Sequence, residues 1–284
     1  EAAVDVVQLS KMPVTVAQGL CDFMSAMDTA RIPEWNAWYH VLNCGFPLKV
    51  SGETDFPCMS STRVGQGRVY VRLGKVERID YAAWCGGIKA GRSYVSDGYA
   101  HALEFDVQGK RPGDALALEK PGRLKVSAVV AFGSETPAEA PYGGLLPLKG
   151  RRWVGDTVDL HRDGVVRPLE RRSVELVVNG RAVAAREVPA DDREHALEFE
   201  VEIARSSWVA LRQFPQLHTN PVDVIVAGRP IRASRASALW CIGAIEQLWR
   251  LRKNNIAPAE RAGAERTFEA AVETYRKIAG EAAD

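Results

Sequence analysis

Five histidines, His40, His101, His161, His195 and His218, set the sharpest limit on the chemistry available to this chain. None stands in an H-x-H or H-E-x-x-H pair, so spacing alone places no two of them on one metal ion. Gly65-Gln66-Gly67 matches only the first half of a dinucleotide-binding G-x-G-x-x-G, because Tyr70 occupies the last glycine position. A G-x-S-x-G nucleophile elbow is missing as well. The most suggestive group is Ser51-Gly52-Glu53-Thr54-Asp55. It follows a short strand-like run at 48–51, and α/β barrels place their reacting groups just past the carboxyl ends of parallel strands. Asp55 offers a hard oxygen that can bind a divalent ion or orient its water. The plainer reading is that Asp55 caps a turn ahead of Pro57.

The other candidates divide in the same way. His40 stands beside Trp35, Trp38 and Tyr39, a setting that more often buries and satisfies a histidine than makes it a ligand. His218 precedes Thr219-Asn220-Pro221 at the entrance to a strand, where a loop-stabilising hydrogen bond is the bland account. Trp208 and Arg212 share one strand after Ser206-Ser207. Together with His218 they are candidates to line a ligand surface, although a tryptophan packed beneath a snorkelling arginine is the commoner arrangement. The five cysteines, Cys21, Cys44, Cys58, Cys85 and Cys241, are odd in number and hold no C-x-x-C spacing. That argues against a structural zinc site and a disulfide framework, and their apolar neighbours favour buried free thiols.

Three blocks must position these residues. Residues 1–98 alternate strand-like and helix-like segments. Strands are expected at 4–9, 48–51 and 68–71, and helices at 14–27, 35–42 and 81–89. Such alternation implies parallel strands with covering helices. Pro33 precedes the second helix, and Cys44-Gly45 closes it with a residue suited to a left-handed cap. Residues 99–232 change to a period of two. Leu103, Phe105 and Val107 alternate with polar residues, as do Leu124, Val126, Ala128 and Val130, and Leu197, Phe199, Val201 and Ile203. Asn179-Gly180 between two strand-like runs is a strong hairpin signal. An antiparallel sandwich follows, with a long loop at 133–150. Residues 233–284 read as a helical hairpin. Ser234 or Ser237 caps its first helix, which carries Leu239, Ile242, Ile245 and Trp249. Pro258 opens the second, whose apolar stripe is Phe268, Ala271, Val272, Tyr275 and Ala279. An α+β chain results.

Composition narrows the function classes. The 37 basic and 36 acidic residues leave a net charge of +1, without the excess that nucleic acid or an anionic membrane selects. No apolar run approaches the ~18 residues needed to span a bilayer. The apolar run begins almost at Glu1, which reads as a chain cut inside a larger fold; a processed terminus is the alternative.

Trp38-Tyr39-His40-Val41-Leu42-Asn43-Cys44-Gly45, followed by Ser51-Gly52-Glu53-Thr54-Asp55, resembles the end of the PHP-type barrel in CehA/McbA family metallohydrolases. Gly67-Arg68-Val69-Tyr70-Val71, Ala90-Gly91-Arg92-Ser93-Tyr94-Val95-Ser96-Asp97-Gly98, Val174–Gly180, Ser206–Arg212 and His218–Val222 continue the resemblance in order. It implies a partial α/β barrel at 1–98, a β-sandwich accessory domain at 99–232 and the helical hairpin at 233–284. It implies a divalent metal (zinc, manganese or iron) in the intact protein, with Asp55 as a ligand and Glu53 and His40 as candidates to support it. The metal would polarise a carbonyl and lower the pKa of bound water toward ~7. The family's histidine close after this acid is replaced here by Phe56-Pro57. Expected partners are an upstream part of the same polypeptide and a small-molecule ester, carbamate or amide substrate, with neither nucleic acid nor membrane; an oligomer stays open. The rival readings are a sandwich that binds carbohydrate or protein through Trp208, Trp153 or Tyr142, and a non-catalytic structural remnant.

Overall fold

Residues 11–27, 31–54, 64–136, 158–160, 166–168 and 170–282 are described by a computed structural model. The chain is mixed α+β, with mostly antiparallel sheets and two long helices at its C-terminal end. Among the described residues there is no closed barrel. No helix among them is long and apolar enough to cross a membrane.

The first block starts differently from its periodicity. A helix over 14–27 was the expectation, from Val16, Leu20, Phe23 and Met24. Instead α1 (Met12–Ala17) has Pro13 in its first turn and ends at Gln18, before Gly19 in a left-handed conformation. Leu20 is then 78% exposed, and β1 (Phe23–Ala26) runs parallel to β2 (Lys49–Gly52), with Met24 opposite Val50. A left-handed residue stops a right-handed helix whatever the pattern beyond it. The helix α2 (Arg31–Asn43) connects these two strands, so β1-α2-β2 forms the expected parallel unit. The strand expected at 4–9 lies outside the described residues.

β3 (Arg68–Val71), α3 (Tyr81–Ala90) and β4 (Ser93–Ser96) follow. Asp80 caps α3 by accepting from the Ala82 N–H, and Gly91 closes it. Here the parallel expectation is corrected: β3 and β4 pair antiparallel. They are joined by only a helix and tight turns, and they extend a sheet built largely from the second block. Its further strands are β6 (Ala115–Leu118), β10 (Arg171–Val178), β11 (Arg181–Pro189), β13 (Ser207–Gln213), β14 (Leu217–Thr219) and β15 (Val222–Val226). The order is β11-β10-β13-β14-β4-β3, with β15 on β13 and β6 on β15. This sheet thus draws strands from both sides of residue 98.

β5 (Ala100–Val107), β7 (Gly122–Phe132) and β12 (Glu194–Ile203) form a second sheet, in the order β12-β7-β5. Its inner residues, among them Phe105, Val126, Val130, Phe199 and Ile203, share one core with Val174, Leu176, Val209, Leu211 and Val224 of the large sheet. The arrangement is sandwich-like. β8 (Val158–Leu160) and β9 (Val166–Pro168) form a small separate hairpin. Most of the long loop expected at 133–150 lies outside the described residues.

Asn179-Gly180 forms the two-residue turn between β10 and β11, with φ of 50° and 86°. Positive φ at both positions gives the turn whose twist matches the strands, and only such residues adopt it cheaply. Leu103 departs from its alternation. A bulge between Ala102 and Glu104 shifts the register, so Leu103 is 43% exposed while Phe105 and Val107 return to the core.

The other face of the large sheet is covered by helices. Val95, Val177, Trp208 and Ala210 pack with α1, α2, α4 (Arg235–Arg252) and α5 (Pro258–Glu281). β13 therefore has apolar cover on both faces, which is why Trp208 through Leu211 form an unbroken buried run. Ser234 caps α4 by accepting from the Ser237 N–H. Tyr275 of α5 is fully buried and donates to the Pro13 carbonyl, tying the hairpin to α1 at 3.1 Å. Leu239 is not on the buried stripe: it is 51% exposed, and Ala238, Cys241 and Ile245 take that face.

Candidate functional site

At the carboxyl end of the parallel pair, Glu53 leaves β2 half-buried and its backbone N–H donates to the Ala26 carbonyl at the end of β1. Thr54 follows, its hydroxyl donating to the Gly67 carbonyl at 3.1 Å. Asp55, the residue singled out as a metal ligand, lies outside the described residues, as do Tyr142, Trp153, Cys58 and His161. A second acid that pattern reading missed stands at the same edge. Glu34, 2% exposed on α2, accepts from the Met27 N–H at 2.9 Å, directly beyond β1. Only its position in the first turn of a helix following a strand hints at this placement.

Two carboxylates at one edge are fewer than a divalent hydrolytic centre requires. No group of three His, Cys, Asp or Glu among the described residues could hold a metal ion. The histidines do not complete one. His40 stacks on Trp240 at 4.4 Å and its Nδ1 meets the Ser237 hydroxyl at 3.1 Å, so it faces α4. Burial holds its pKa down to about 4.

His218 is enclosed completely. Its Nδ1 lies 2.7 Å from the Thr219 carbonyl, which can only accept, so that nitrogen carries the proton. Nε2 then accepts from the Tyr39 hydroxyl at 2.6 Å. The rings of Trp35 and Trp38 meet His218 edge-on at 5.0 and 4.9 Å. Burial lowers its pKa to about 3, leaving a neutral imidazole with both nitrogens used. Arg212 donates to the Tyr39 oxygen at 3.1 Å and pairs with Glu175 at 2.6 Å, and burial pushes the Tyr39 phenol up to about 12.

The ligand surface expected at Trp208, Arg212 and His218 is therefore a packed interior. The structure does bring these residues together, through Tyr39, whose ring lies 5.1 Å from that of Trp208. Trp208 is fully buried and its Nε1 donates to Asn43 Oδ1 at 2.8 Å. The opportunity to bind a ligand is removed by burial, since each polar atom already has an internal partner.

Asn220 joins the parallel unit to the large sheet. Its Oδ1 accepts from the Val50 N–H at 2.9 Å, and its Nδ2 donates to the carbonyls of Val50 and Ser93 and to the Ser93 hydroxyl. One amide side chain thus bridges β2 and β4 where no backbone ladder links them. Beside it, buried Lys49 and half-buried Asp223 partly offset each other's charge: burial lowers the lysine and raises the acid, and each counters the other's shift.

An open cleft of about 360 Å³ lies elsewhere, between β3 and β5, with Tyr70, Tyr94, Arg92 and Arg111 in its lining. No motif in the sequence marks it, because its walls come from five separate segments. The thiols divide: Cys44 and Cys241 are buried, whereas Cys21 and Cys85 are only half-buried, and all four are free.

No protein-family model matches the chain, and comparison with curated proteins and with solved structures gives no match either.

Proposed function

We propose that this chain forms the closing part of a metal-dependent hydrolase of ester, carbamate or amide-type bonds, and that it has no hydrolase activity alone. The observation that supports the reading is the parallel β1-α2-β2 unit, with Glu34 and Glu53 gathered at its carboxyl edge. Open parallel sheets bind their ligands at that edge. The described acids do not complete a metal site, so its remaining ligands would come from Asp55 and from outside the described residues.

The packing supports the same need for more structure. Parallel sheets are normally covered on both faces and rarely stop at two strands, the number found among the described residues. Phe23 on β1 is 43% exposed, and Ile79 and Tyr81 at the start of α3 are 71% and 75% exposed. These apolar positions would be covered in an enlarged α/β sheet, the partial barrel that the sequence motifs resemble. The sandwich-like body would serve as the accessory part.

Metal content and turnover test the reading together. The 284-residue chain should hold no stoichiometric zinc, manganese or iron after dialysis and should not hydrolyse p-nitrophenyl acetate in a chelator-sensitive way. A polypeptide extended upstream in its reading frame should do both, and Asp55→Asn in it should lower metal occupancy. Chelator-reversible hydrolysis by the shorter chain would remove the claim of dependence. A metal-free, inactive extended polypeptide would remove the hydrolase reading itself.

A further inference from the structure

The cleft between β3 and β5 lies where both sheets end. β3 is the last strand of the large sheet and β5 the last of the three-stranded one. The bulge in β5 turns Leu103 out of the core and into this cleft, over a floor that includes the buried ring of Phe105. Tyr70 and Tyr94 stack on each other along one wall, 5.0 Å apart and within 8° of parallel. Tyr94 is held in place by its hydroxyl contact with His101 Nδ1 at 2.9 Å. At the mouth, Arg72 grips Glu104 through two hydrogen bonds of 2.7 and 3.0 Å. That pair is internally neutralised and ties β3 to the bulged strand.

Arg92 and Arg111 are different. Both line the cleft and both are exposed. Neither guanidinium makes a hydrogen bond among the described residues, where Arg72, Arg123, Arg212 and Arg232 all do, although Arg111 stands near enough to Glu104 to help hold that carboxyl below its usual range. Their approach is built in. Gly113, at φ of 90°, lies so close to the end of α3 that a Cβ there would stand 1.9 Å from the Ala90 carbonyl oxygen. The turn carrying Arg111 is closed by its N–H donating to Asp114 Oδ2 at 3.0 Å. The tight contact presses this turn against the segment that begins with Arg92.

We infer that this cleft is a binding site for a small carboxylate with an apolar, preferably aromatic, body, held by Arg92 and Arg111 and seated on Leu103, Phe105 and the Tyr70–Tyr94 wall. Guanidinium groups match a carboxylate in two parallel hydrogen bonds. A lining of apolar side chains with a few convergent polar groups is the usual make-up of a small-molecule site, and the volume falls in that size range. A simple inorganic anion would leave the apolar floor uncovered, and a neutral arene would leave the arginines unused. Asp114 on the same rim disfavours a polyanion. The inference does not rest on the hydrolase reading, since it concerns equilibrium binding by this chain alone.

The test is calorimetric titration of the 284-residue chain with 4-tert-butylbenzoate, beside 4-tert-butylbenzamide and acetate. The benzoate should bind, and the amide and acetate should each be weaker by about tenfold or more. Arg111→Gln and Arg92→Gln should each weaken the benzoate by about tenfold, as should Leu103→Asp, whereas Arg186→Gln on the distant β11 should not. Both arginines are exposed, so circular dichroism and melting temperature should be unchanged in their variants. Failure of the folded wild-type chain to bind the benzoate at ~10 mM overturns the inference. So does equal binding of the amide, or benzoate binding that the double variant Arg92→Gln/Arg111→Gln leaves intact. The first two of these comparisons use wild-type protein alone and stand whether or not a variant folds.

Discussion

Tyr39 and His218 lie 179 residues apart in the chain and 2.6 Å apart in the fold. The phenol of α2 donates to the imidazole of β14, and Arg212 of β13 donates to the same phenol. One helix is thereby locked to two strands of the large sheet. Removing the hydroxyl in Tyr39→Phe leaves a fully buried imidazole nitrogen without a partner and takes an acceptor from Arg212. The expected loss is about 1–3 kcal/mol, the penalty for an orphaned buried polar group. Urea unfolding would measure it; an unchanged midpoint would mean that water replaces the hydroxyl.

Trp208 packs between the same layers. Trp208→Ala should cost roughly 3–5 kcal/mol, as for other aromatic truncations in a core. Trp208→Phe keeps most of the packing but leaves Asn43 Oδ1 without the indole N–H, so it should cost about 1–3 kcal/mol, the penalty for that orphaned acceptor. If Trp208→Ala melts at the wild-type temperature, the placement of this residue between the sheet and the helices is wrong.

Acid should destabilise the chain through two histidines. Burial lowers His40 to about 4 and His218 to about 3 in the folded state, while unfolding returns both to the ordinary value near 6.5. Below that value the unfolded chain binds more protons, so stability rises with pH across the window. The contribution is complete above about pH 6.5 and is lost as the pH falls through the two folded values. Urea midpoints should therefore decline from pH 7 to 4.5. His40→Asn should flatten the decline, and a slope equal to wild type would count against burial of that imidazole.

Asn220 offers a test of how the parallel unit is attached. Asn220→Asp keeps an acceptor for the Val50 N–H but turns a carboxylate toward the carbonyls of Val50 and Ser93, where two donors stood. The cost should be at least about 3 kcal/mol. Amide exchange at Val50 and its β2 neighbours should quicken more than exchange in β7 or β12. Uniform quickening would show that the whole body opens together.

Removal of the C-terminal hairpin should be badly tolerated. Ala271, Val272, Tyr275 and Ile278 of α5 are buried with residues of α1, α2 and α4, and Cys241 and Ile245 lie in the same core. Truncation after Arg232 should expose this apolar face, lower solubility and increase dye binding. A soluble truncated chain of equal stability would make the hairpin an independent appendage.

Local chemistry in the sequence determined much of this protein. The four helices beginning near Arg31, Tyr81, Arg235 and Pro258 follow from apolar spacing and from caps such as Asp80 and Ser234, which act within a turn or two. The Asn179-Gly180 turn and the alternation in β7 and β12 are likewise short-range signals. The apolar spacing over 14–27 is overridden by left-handed Gly19, and the alternation at Leu103 is reversed by a bulge. Tertiary structure alone decided the rest. Whether Trp208, Arg212 and His218 face a ligand or one another depends on α2 lying across the sheet, a contact between residues more than a hundred positions apart. Glu34 comes to stand at the edge that also holds Glu53 only because β1 and β2 pair in parallel, and Arg92 and Arg111 line one cleft only because the end of α3 packs against the Gly113 turn. Periodicity reports which face of an element is apolar; it carries no information about which other element will cover that face.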